Sequence, residues 1–171
     1  MSSTEAPPAA VPRSVFPVAP DARYFEDYHV GDVYLFGPVD VTQEEVIEFA
    51  RRYDPQSFHV DPAAARQSMF GGLIASGWHT AALMMRVLVD NFVSTVAGLG
   101  SPGVDQLRWL APVRPGDRLR MRVAVTEARR SQSKRDRGIV RSRVEVLNQA
   151  DVVVMSVEAV SLMRCRKPGP V

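Results

Sequence analysis

An acid and an imidazole, Asp54 and His59, stand five residues apart in a segment that contains Pro55. Because proline lacks an N–H and disfavours helix at the residue before it, we expect a helix to end near Tyr53. Side chains that project from irregular backbone beyond that helix can converge on one small molecule, such as water. Carboxylates and imidazoles are common general acids and bases. The pair therefore predicts proton transfer to or from a bound water.

A glycine-rich stretch follows this pair and leads into the longest apolar segment of the chain. Gly71, Gly72 and Gly77 permit tight turns in front of a predicted helix. The first N–H groups of a helix have no partner within the helix, and the helix dipole places positive charge there. The Gly77 N–H is therefore a candidate to stabilise negative charge on a carbonyl oxygen. The alternative is that Gly77 only marks the start of the helix.

Two runs in this region resemble a family motif, namely Tyr53-Asp54-x-Gln56-x-x-His59-x-Asp61 and Phe70-Gly71-Gly72-x-Ile74-x-x-Gly77. Over about residues 24 to 163, the chain is similar to the MaoC-like, (R)-specific enoyl-CoA hydratase branch of the hot-dog fold superfamily. It departs from the usual Asp-x-Asn-Pro-x-His form at Gln56 and Ser57. In addition, Ser76 stands where many members have His.

The resemblance implies a hydro-lyase that adds water reversibly across a trans-2-enoyl-CoA and gives an (R)-3-hydroxyacyl-CoA. Asp54 and His59 would hold the water, and the Gly77 N–H would stabilise charge on the thioester oxygen. The implied substrate-binding residues are Gln56, Phe58, Gly72, Ser76 and Trp78. The CoA thioester is the substrate, and neither a metal nor a redox cofactor is expected.

Two other classes of function stay open. A hot-dog acyl-CoA thioesterase usually carries a carboxylate on or entering the central helix, yet residues 73 to 89 contain no Asp or Glu. A non-catalytic acyl-CoA-binding subunit would keep the fold and lose the acid or the base, whereas this chain keeps both. The departures at Gln56 and Ser57 are what leave the non-catalytic alternative open.

Each candidate residue also has a purely structural interpretation. An Asp-Pro pair such as the one at Asp54 often only terminates a helix. His59 could cap the turn at Asp61, which we expect to cap the following helix. His79 is predicted to be a buried, hydrogen-bonded core histidine, and His29 to lie in an ordinary turn.

Composition limits the classes of protein that this chain can form. Its 171 residues, 46% of them hydrophobic, suffice for one domain with a sizeable core and are too few for two ordinary domains. With 21 Lys+Arg against 19 Asp+Glu, the charges nearly balance, so no nucleic-acid partner is expected. The basic run from Arg129 to Arg137 is predicted to form a solvated hairpin tip, with CoA phosphates as the alternative ligand.

The cysteine count and the termini lead to further expectations. Cys165 is the single cysteine, which excludes an intrachain disulfide and fits a reducing cytoplasm. The scarcity of Lys beside Arg points to a bacterial genome rich in G and C. Residues 1–20 lack the basic and continuous apolar regions of a signal peptide. We expect residues 1–22 to be a disordered or loosely packed arm, residues 23–165 a single domain, and residues 166–171 a tail.

The apolar run from Leu73 to Val96 is long enough to raise the question of a membrane span. Strongly polar or charged side chains interrupt it at His79, Arg86, Asp90 and Asn91. We therefore expect a buried helix and no membrane partner.

Hydrophobic periodicity predicts one strand, then helices, then four strands. The predicted strands cover residues 33–41, 107–113, 119–125, 139–147 and 152–163, and the predicted helices cover residues 42–53, 63–67 and 77–96. This order favours an α+β fold, with an antiparallel β-sheet wrapped around a long central helix, which is the hot-dog architecture. One sheet covers such a helix only in part, so we expect a homodimer with a continuous sheet, or a higher homo-oligomer.

Overall fold

The computed structural model, which describes residues 11–168, contains one five-stranded antiparallel sheet. Its strands are β1 Val33–Asp40, β2 Gly103–Trp109, β3 Arg118–Arg130, β4 Arg137–Leu147 and β5 Val153–Arg164. The helices are α1 Gln43–Tyr53, α2 Ser57–Val60, α3 Pro62–Gln67 and α4 Gly77–Asn91, with one 3₁₀ turn at Phe25–Asp27. The strand order is β1-β3-β4-β5-β2, so β1 and β2 form the edges. The predicted α+β class and antiparallel sheet are confirmed.

Alternation along the strands separates a buried face of the sheet from an outer face. On β3, Leu119, Met121 and Val123 are fully buried, and the arginines between them point to the outer face. A strand repeats every two residues, so one set of side chains packs on the core. The apolar run that predicted an interior strand is β5, which lies between β4 and β2.

Helix α4 supplies the other side of the core. Met84, Val87 and Leu88 are buried in one cluster with the inner side chains of the sheet. On the opposite side of the helix, Trp78 and Met85 are 59% and 45% exposed. Among residues 11–168, no helix has both the length and the apolarity needed to cross a membrane.

The helix ends at Asn91, five residues before the predicted end. The side-chain amide of Asn91 donates a hydrogen bond to the Val87 carbonyl (2.9 Å). The chain beyond Asn91 turns towards the N-terminal segment. There the Thr95 N–H donates to the Pro20 carbonyl (3.0 Å), and Ser94 Oγ donates to the Arg23 carbonyl (2.6 Å). These long-range hydrogen bonds explain why an apolar pattern alone overestimates the helix.

The N-terminal segment packs on the body through Phe16, which is 5% exposed. Its ring centroid lies 5.1 Å from those of Tyr28 and Tyr34 and 5.9 Å from that of Phe92. The Arg13 backbone also exchanges hydrogen bonds with β1. The expectation of a loosely packed arm is therefore wrong around Phe16, because one aromatic side chain buries a large area that Pro- and Ala-rich composition hides. Residues 1–10 lie outside the described residues.

Arg23 connects this segment to the end of α4. It is 2% exposed, and its guanidinium donates to the carbonyls of Val18 (2.6 Å) and Asn91 (3.0 Å). The same group lies 3.7 Å from the Phe16 ring centroid. At the other terminus, Arg166 pairs with Asp27 (2.7 Å), so the predicted tail starts as part of the body. Residues 169–171 lie outside the described residues.

The Phe16→Ala substitution is expected to lower the free energy of unfolding by about 3–5 kcal/mol, the usual cost of deleting a buried aromatic ring. Urea unfolding followed by circular dichroism measures it. Val15→Ala is the matched control, because Val15 is 73% exposed and its loss should change the free energy of unfolding by less than about 0.5 kcal/mol. Equal stability of Phe16→Ala and the wild type would mean that the N-terminal segment does not support the fold.

Candidate active site

Asp54 and His59 meet beyond the end of α1. The Asp54 N–H donates to the Ala50 carbonyl (2.8 Å), so this residue closes the last turn of α1 before Pro55. Ser57–Val60 then forms one helical turn in place of the irregular loop that the sequence predicted. This turn brings His59 Nε2 to 3.4 Å from Asp54 Oδ2. The two side chains therefore converge, as the sequence predicts.

Helix α3 fixes the end of this segment. Asp61 Oδ1 accepts hydrogen bonds from the N–H groups of Ala63 (2.8 Å) and Ala64 (3.2 Å), with Pro62 at the first helical position. The predicted capping role of Asp61 is confirmed. Because Asp61 is used in this way, it is not part of the acid–base pair.

The tautomer of His59 follows from its other ring nitrogen. Nδ1 lies 2.8 Å from the Ile74 carbonyl oxygen, which can only accept a hydrogen bond. Nδ1 therefore carries a proton, and in the neutral ring Nε2 presents a lone pair towards Asp54. A lone pair and a carboxylate are both acceptors, so they do not satisfy each other. A water molecule that donates one hydrogen to each would satisfy both.

Two further side chains hold the Asp54 carboxylate. Gln56 Nε2 donates to Oδ1 (2.7 Å), and Ser76 Oγ donates to Oδ2 (2.7 Å). The hydrogen bond from Gln56, followed by the one from Ser76, keeps the pKa of Asp54 below its ordinary value, although partial burial opposes this. Asp54 is therefore an anion at neutral pH.

A cavity of about 370 Å³ opens beside the pair. Its walls are mostly apolar, and they come from α2, the segment before α4, the first turn of α4 and the chain after β2. The lining residues are Asp54, Phe58, His59, Phe70, Ile74, Ala75, Gly77, Trp78, Thr80, Trp109, Leu110, Ala111, Pro112, Val113 and Val154. Such a cavity suits an apolar group whose reacting end lies against the acid–base pair.

The predicted substrate-binding residues divide into two sets. Phe58 and Trp78 line the cavity. Gln56 and Ser76 contact Asp54 instead, and Ser76 is fully buried. Gly72 also lies outside the lining, where an added Cβ would stand 3.3 Å from Arg114 Nη1. These three residues lie outside the cavity lining, and their contact with substrate stays a prediction.

The walls that the sequence did not predict come mainly from residues 109–113. Strand β2 ends at Trp109. Beyond this end, the N–H groups of Leu110 and Ala111 both donate to the carbonyl of Val154 in β5. This backbone pairing places the five residues across the cavity from α2. Alternation of apolar side chains predicts a strand over residues 107–113, but it does not indicate which helix the end of that strand faces.

Gly77 is the first residue of α4 and lines the cavity. Its N–H has no hydrogen-bond partner within residues 11–168. A Cβ at this position would overlap the indole of Trp109, which packs directly on the glycine. Trp109 also contacts Trp78 edge to face, with ring centroids 5.2 Å apart. The need for glycine here therefore has a packing cause in addition to any chemical one.

His79 lies one turn into α4 and outside the cavity lining. It is 5% exposed and stacks on Phe49 of α1 at 4.9 Å between ring centroids. Burial lowers its pKa, so the ring is neutral. Its Nδ1 has no hydrogen-bond partner within the described residues, so the prediction of a hydrogen-bonded core histidine is right about burial and wrong about the bond.

The basic run lies at the exposed tip of the β3–β4 hairpin. Arg129 pairs with Glu127 (2.5 Å) and Arg130 with Glu26 (2.8 Å). The hairpin tip pairs with the Arg164 end of β5, whereas the cavity lies at the Met155 end of the same strand. The length of strand between these two ends is about 30 Å. Within one chain, this separation disfavours a role for the run in binding CoA phosphates.

The MaoC like domain family has a model that matches residues 27–149. This chain belongs to that family. The match includes both Asp54 and His59 and most of the cavity lining. It confirms the family predicted from the motif.

Solved structures confirm the hot-dog fold. The MaoC-like dehydratase from Rhodospirillum rubrum superposes with a TM-score of 0.79 at 38% identity, over 85% of this chain and 99% of that one. An (R)-hydratase from A. caviae involved in PHA biosynthesis has a TM-score of 0.65 at 25% identity, over 78% and 96% of the two chains.

A curated relative is 3-hydroxyacyl-thioester dehydratase Z of Mycobacterium tuberculosis. It is 41% identical over 86 residues, which cover 48% of this chain and 56% of that protein. The matched part therefore spans about half the length of each of the two proteins.

Gly77→Ala is expected to lower the free energy of unfolding by about 1–3 kcal/mol, the typical cost of overpacking, because the new Cβ meets the Trp109 indole. In a Trp109→Ala background the same change should be neutral or slightly stabilising, since alanine is a better helix former than glycine. Unfolding curves of the four proteins measure the difference as a double-mutant cycle. An equal cost in both backgrounds would show that Trp109 is not the reason for the glycine.

Proposed function

We propose that the chain is a hydro-lyase that adds water reversibly across a trans-2-enoyl-CoA and forms an (R)-3-hydroxyacyl-CoA. The observation that carries the proposal is the pair of acceptors, His59 Nε2 and Asp54 Oδ2, at 3.4 Å beside an apolar cavity. Membership of the MaoC-like family supports it, as do the activities named for the A. caviae (R)-hydratase and for dehydratase Z.

The reaction begins with a water molecule that donates hydrogen bonds to His59 and Asp54. As the water oxygen forms its bond to C3 of the enoyl group, one proton passes to His59 Nε2. The π electrons of the C2–C3 bond move towards C2 and the thioester carbonyl. A proton returned to C2 from the same face completes a syn addition, so one water supplies both the hydroxyl and the new hydrogen.

The thioester oxygen carries negative charge between these two proton transfers. Gly77 lines the cavity at the start of α4, where its N–H has no hydrogen-bond partner within residues 11–168 and the helix dipole adds positive potential. An N–H donor aimed at this oxygen would stabilise the enolate more than the ground-state carbonyl. The apolar lining would exclude bulk water and so strengthen the interaction.

The site geometry favours hydration over thioester hydrolysis. Asp54 is the only carboxylate among the lining residues, and His59 and Ser76 already engage it. The non-catalytic alternative is also disfavoured, because an acyl-binding subunit has no need for an acid and a base in contact.

We also propose that the chain forms a homodimer. Strand β2 is an edge strand with mostly exposed side chains, including Val104 at 54%. On α4, Trp78, Met85 and Val89 form an exposed apolar stripe, and Trp78 contacts Trp109 at the end of β2. A second copy pairing through β2 would extend the sheet and cover this stripe.

His59→Ala and Asp54→Asn are each expected to lower kcat for crotonyl-CoA hydration by about 10²- to 10⁴-fold, the usual contribution of a general acid–base group. Loss of the conjugated enoyl absorbance measures hydration, and release of free thiol in the same sample measures hydrolysis. His29→Ala is the control, because this histidine lies in an exposed turn. Near wild-type turnover in either site variant, or thiol release without hydration, would refute the proposed function.

Val104→Lys is expected to convert the dimer into a monomer, because it would place one charged side chain from each copy in the paired edge strands. Sedimentation at micromolar concentration gives the oligomeric state of each protein. Val30→Lys is the matched control, since Val30 is 61% exposed in a turn outside the sheet. A wild-type protein that sediments as a monomer would rule out the dimer.

A further inference from the structure

We propose that Gln56 and Ser76 are positioning residues that clamp Asp54 in one orientation as a permanent anion, which makes His59 the group that carries the proton. The assignment rests on the proposed hydration. It gives different duties to the two members of the acid–base pair: Asp54 orients the water, and His59 takes a proton and returns it to C2.

The clamp is defined by one donor on each carboxylate oxygen. Gln56 Nε2 donates to Oδ1 and Ser76 Oγ to Oδ2, both at 2.7 Å. The donors come from two separate segments, since Gln56 precedes α2 and Ser76 precedes α4. Two hydrogen bonds to different oxygens prevent rotation of the carboxylate, so Oδ2 stays directed at His59.

The same donors resist protonation of Asp54. The Gln56 amide nitrogen can only donate, so a proton on Oδ1 would face another hydrogen. The Ser76 Oγ already accepts a hydrogen bond from the Trp78 N–H (3.2 Å), which favours keeping its own hydrogen directed at Oδ2. The lowered pKa of Asp54 agrees with this geometry.

The surroundings leave His59 Nε2 as the place for the proton. Among the described residues, His59 is the titratable group that contacts Asp54, and the other two contacts come from the uncharged Gln56 and Ser76. The Nδ1 of His59 is already protonated and bound to the Ile74 carbonyl. A proton taken from water therefore resides on Nε2 until it passes to C2.

Two pairs of variants test the clamp by steady-state kinetics with crotonyl-CoA. The side chains introduced by Ser76→Val and Ser76→Thr have nearly the same shape, but only threonine keeps the hydroxyl donor. Gln56→Met removes the amide from an exposed side chain that folding does not require, and Gln56→Glu places a second anion beside Asp54. We expect kcat to fall about 10- to 100-fold in Ser76→Val and Gln56→Met with KM unchanged. Ser76→Thr should retain more of kcat than Ser76→Val, and Gln56→Glu should be slower than Gln56→Met.

A second measurement is the pH titration of the Asp54 carboxyl carbon, followed by carbon NMR. The signal is assigned by its absence in the Asp54→Asn variant. In the wild type, Asp54 should stay ionised below the ordinary pKa of an aspartate. Because a lost donor removes stabilisation of the anion, its titration should move to higher pH in Ser76→Val and Gln56→Met. A merely structural role would not move this titration.

The results separate the clamp from the proposed function. Unchanged kcat and unchanged Asp54 titration in both Ser76→Val and Gln56→Met would overturn the clamp. A rise in KM at constant kcat would also overturn it, because that result assigns the two residues to substrate binding. If the wild type fails to hydrate crotonyl-CoA while the titration still shifts in the variants, the clamp is supported and the proposed hydration is refuted.

Discussion

The hydrogen bond between His59 Nδ1 and the Ile74 carbonyl (2.8 Å) determines the chemistry of this site. It fixes the tautomer, and it also joins α2 to the segment that leads into α4. Neighbouring backbone bonds hold that segment, since the Ile74 N–H donates to the Phe58 carbonyl (3.3 Å) and the Ala75 N–H to the Val113 carbonyl (2.8 Å). The imidazole is therefore connected through the backbone to the chain that follows β2.

The position of α4 links this site to the opposite end of the core. Its first turn forms one wall of the cavity, whereas its last turn is held by Arg23 and by the aromatic cluster around Phe16. A helix moves largely as a rigid body, so contacts at one end restrict both ends. The N-terminal segment thus contributes to the site although Phe16 is remote from Asp54 in sequence and outside the cavity lining.

Local chemistry explains what the sequence predicted well. Pro55 ends α1, Asp61 caps α3, and alternating side chains define the long strands, because each of these effects acts within a few residues. The contacts that sequence reasoning missed join distant segments. Ser76 is 22 residues from Asp54, and Trp109 packs on Gly77 from another strand. No periodicity or spacing rule specifies such pairs, so the sequence does not predict the contact of Ser76 with the Asp54 carboxylate.

Gly77 shows how one residue can be required for two independent reasons. The indole of Trp109 occupies the space that a side chain would need, which is a demand of packing alone. The unpartnered N–H at the start of α4 is a separate property of the backbone, and it would remain with any residue at that position except proline. The absence of a side chain therefore explains how Trp109 can form a wall of the cavity. The proposed stabilisation of the thioester oxygen rests instead on the unpartnered N–H and on the dipole of α4. The start of α4 therefore combines a wall of the cavity, formed with Trp109, and an unpartnered N–H on one of the lining residues.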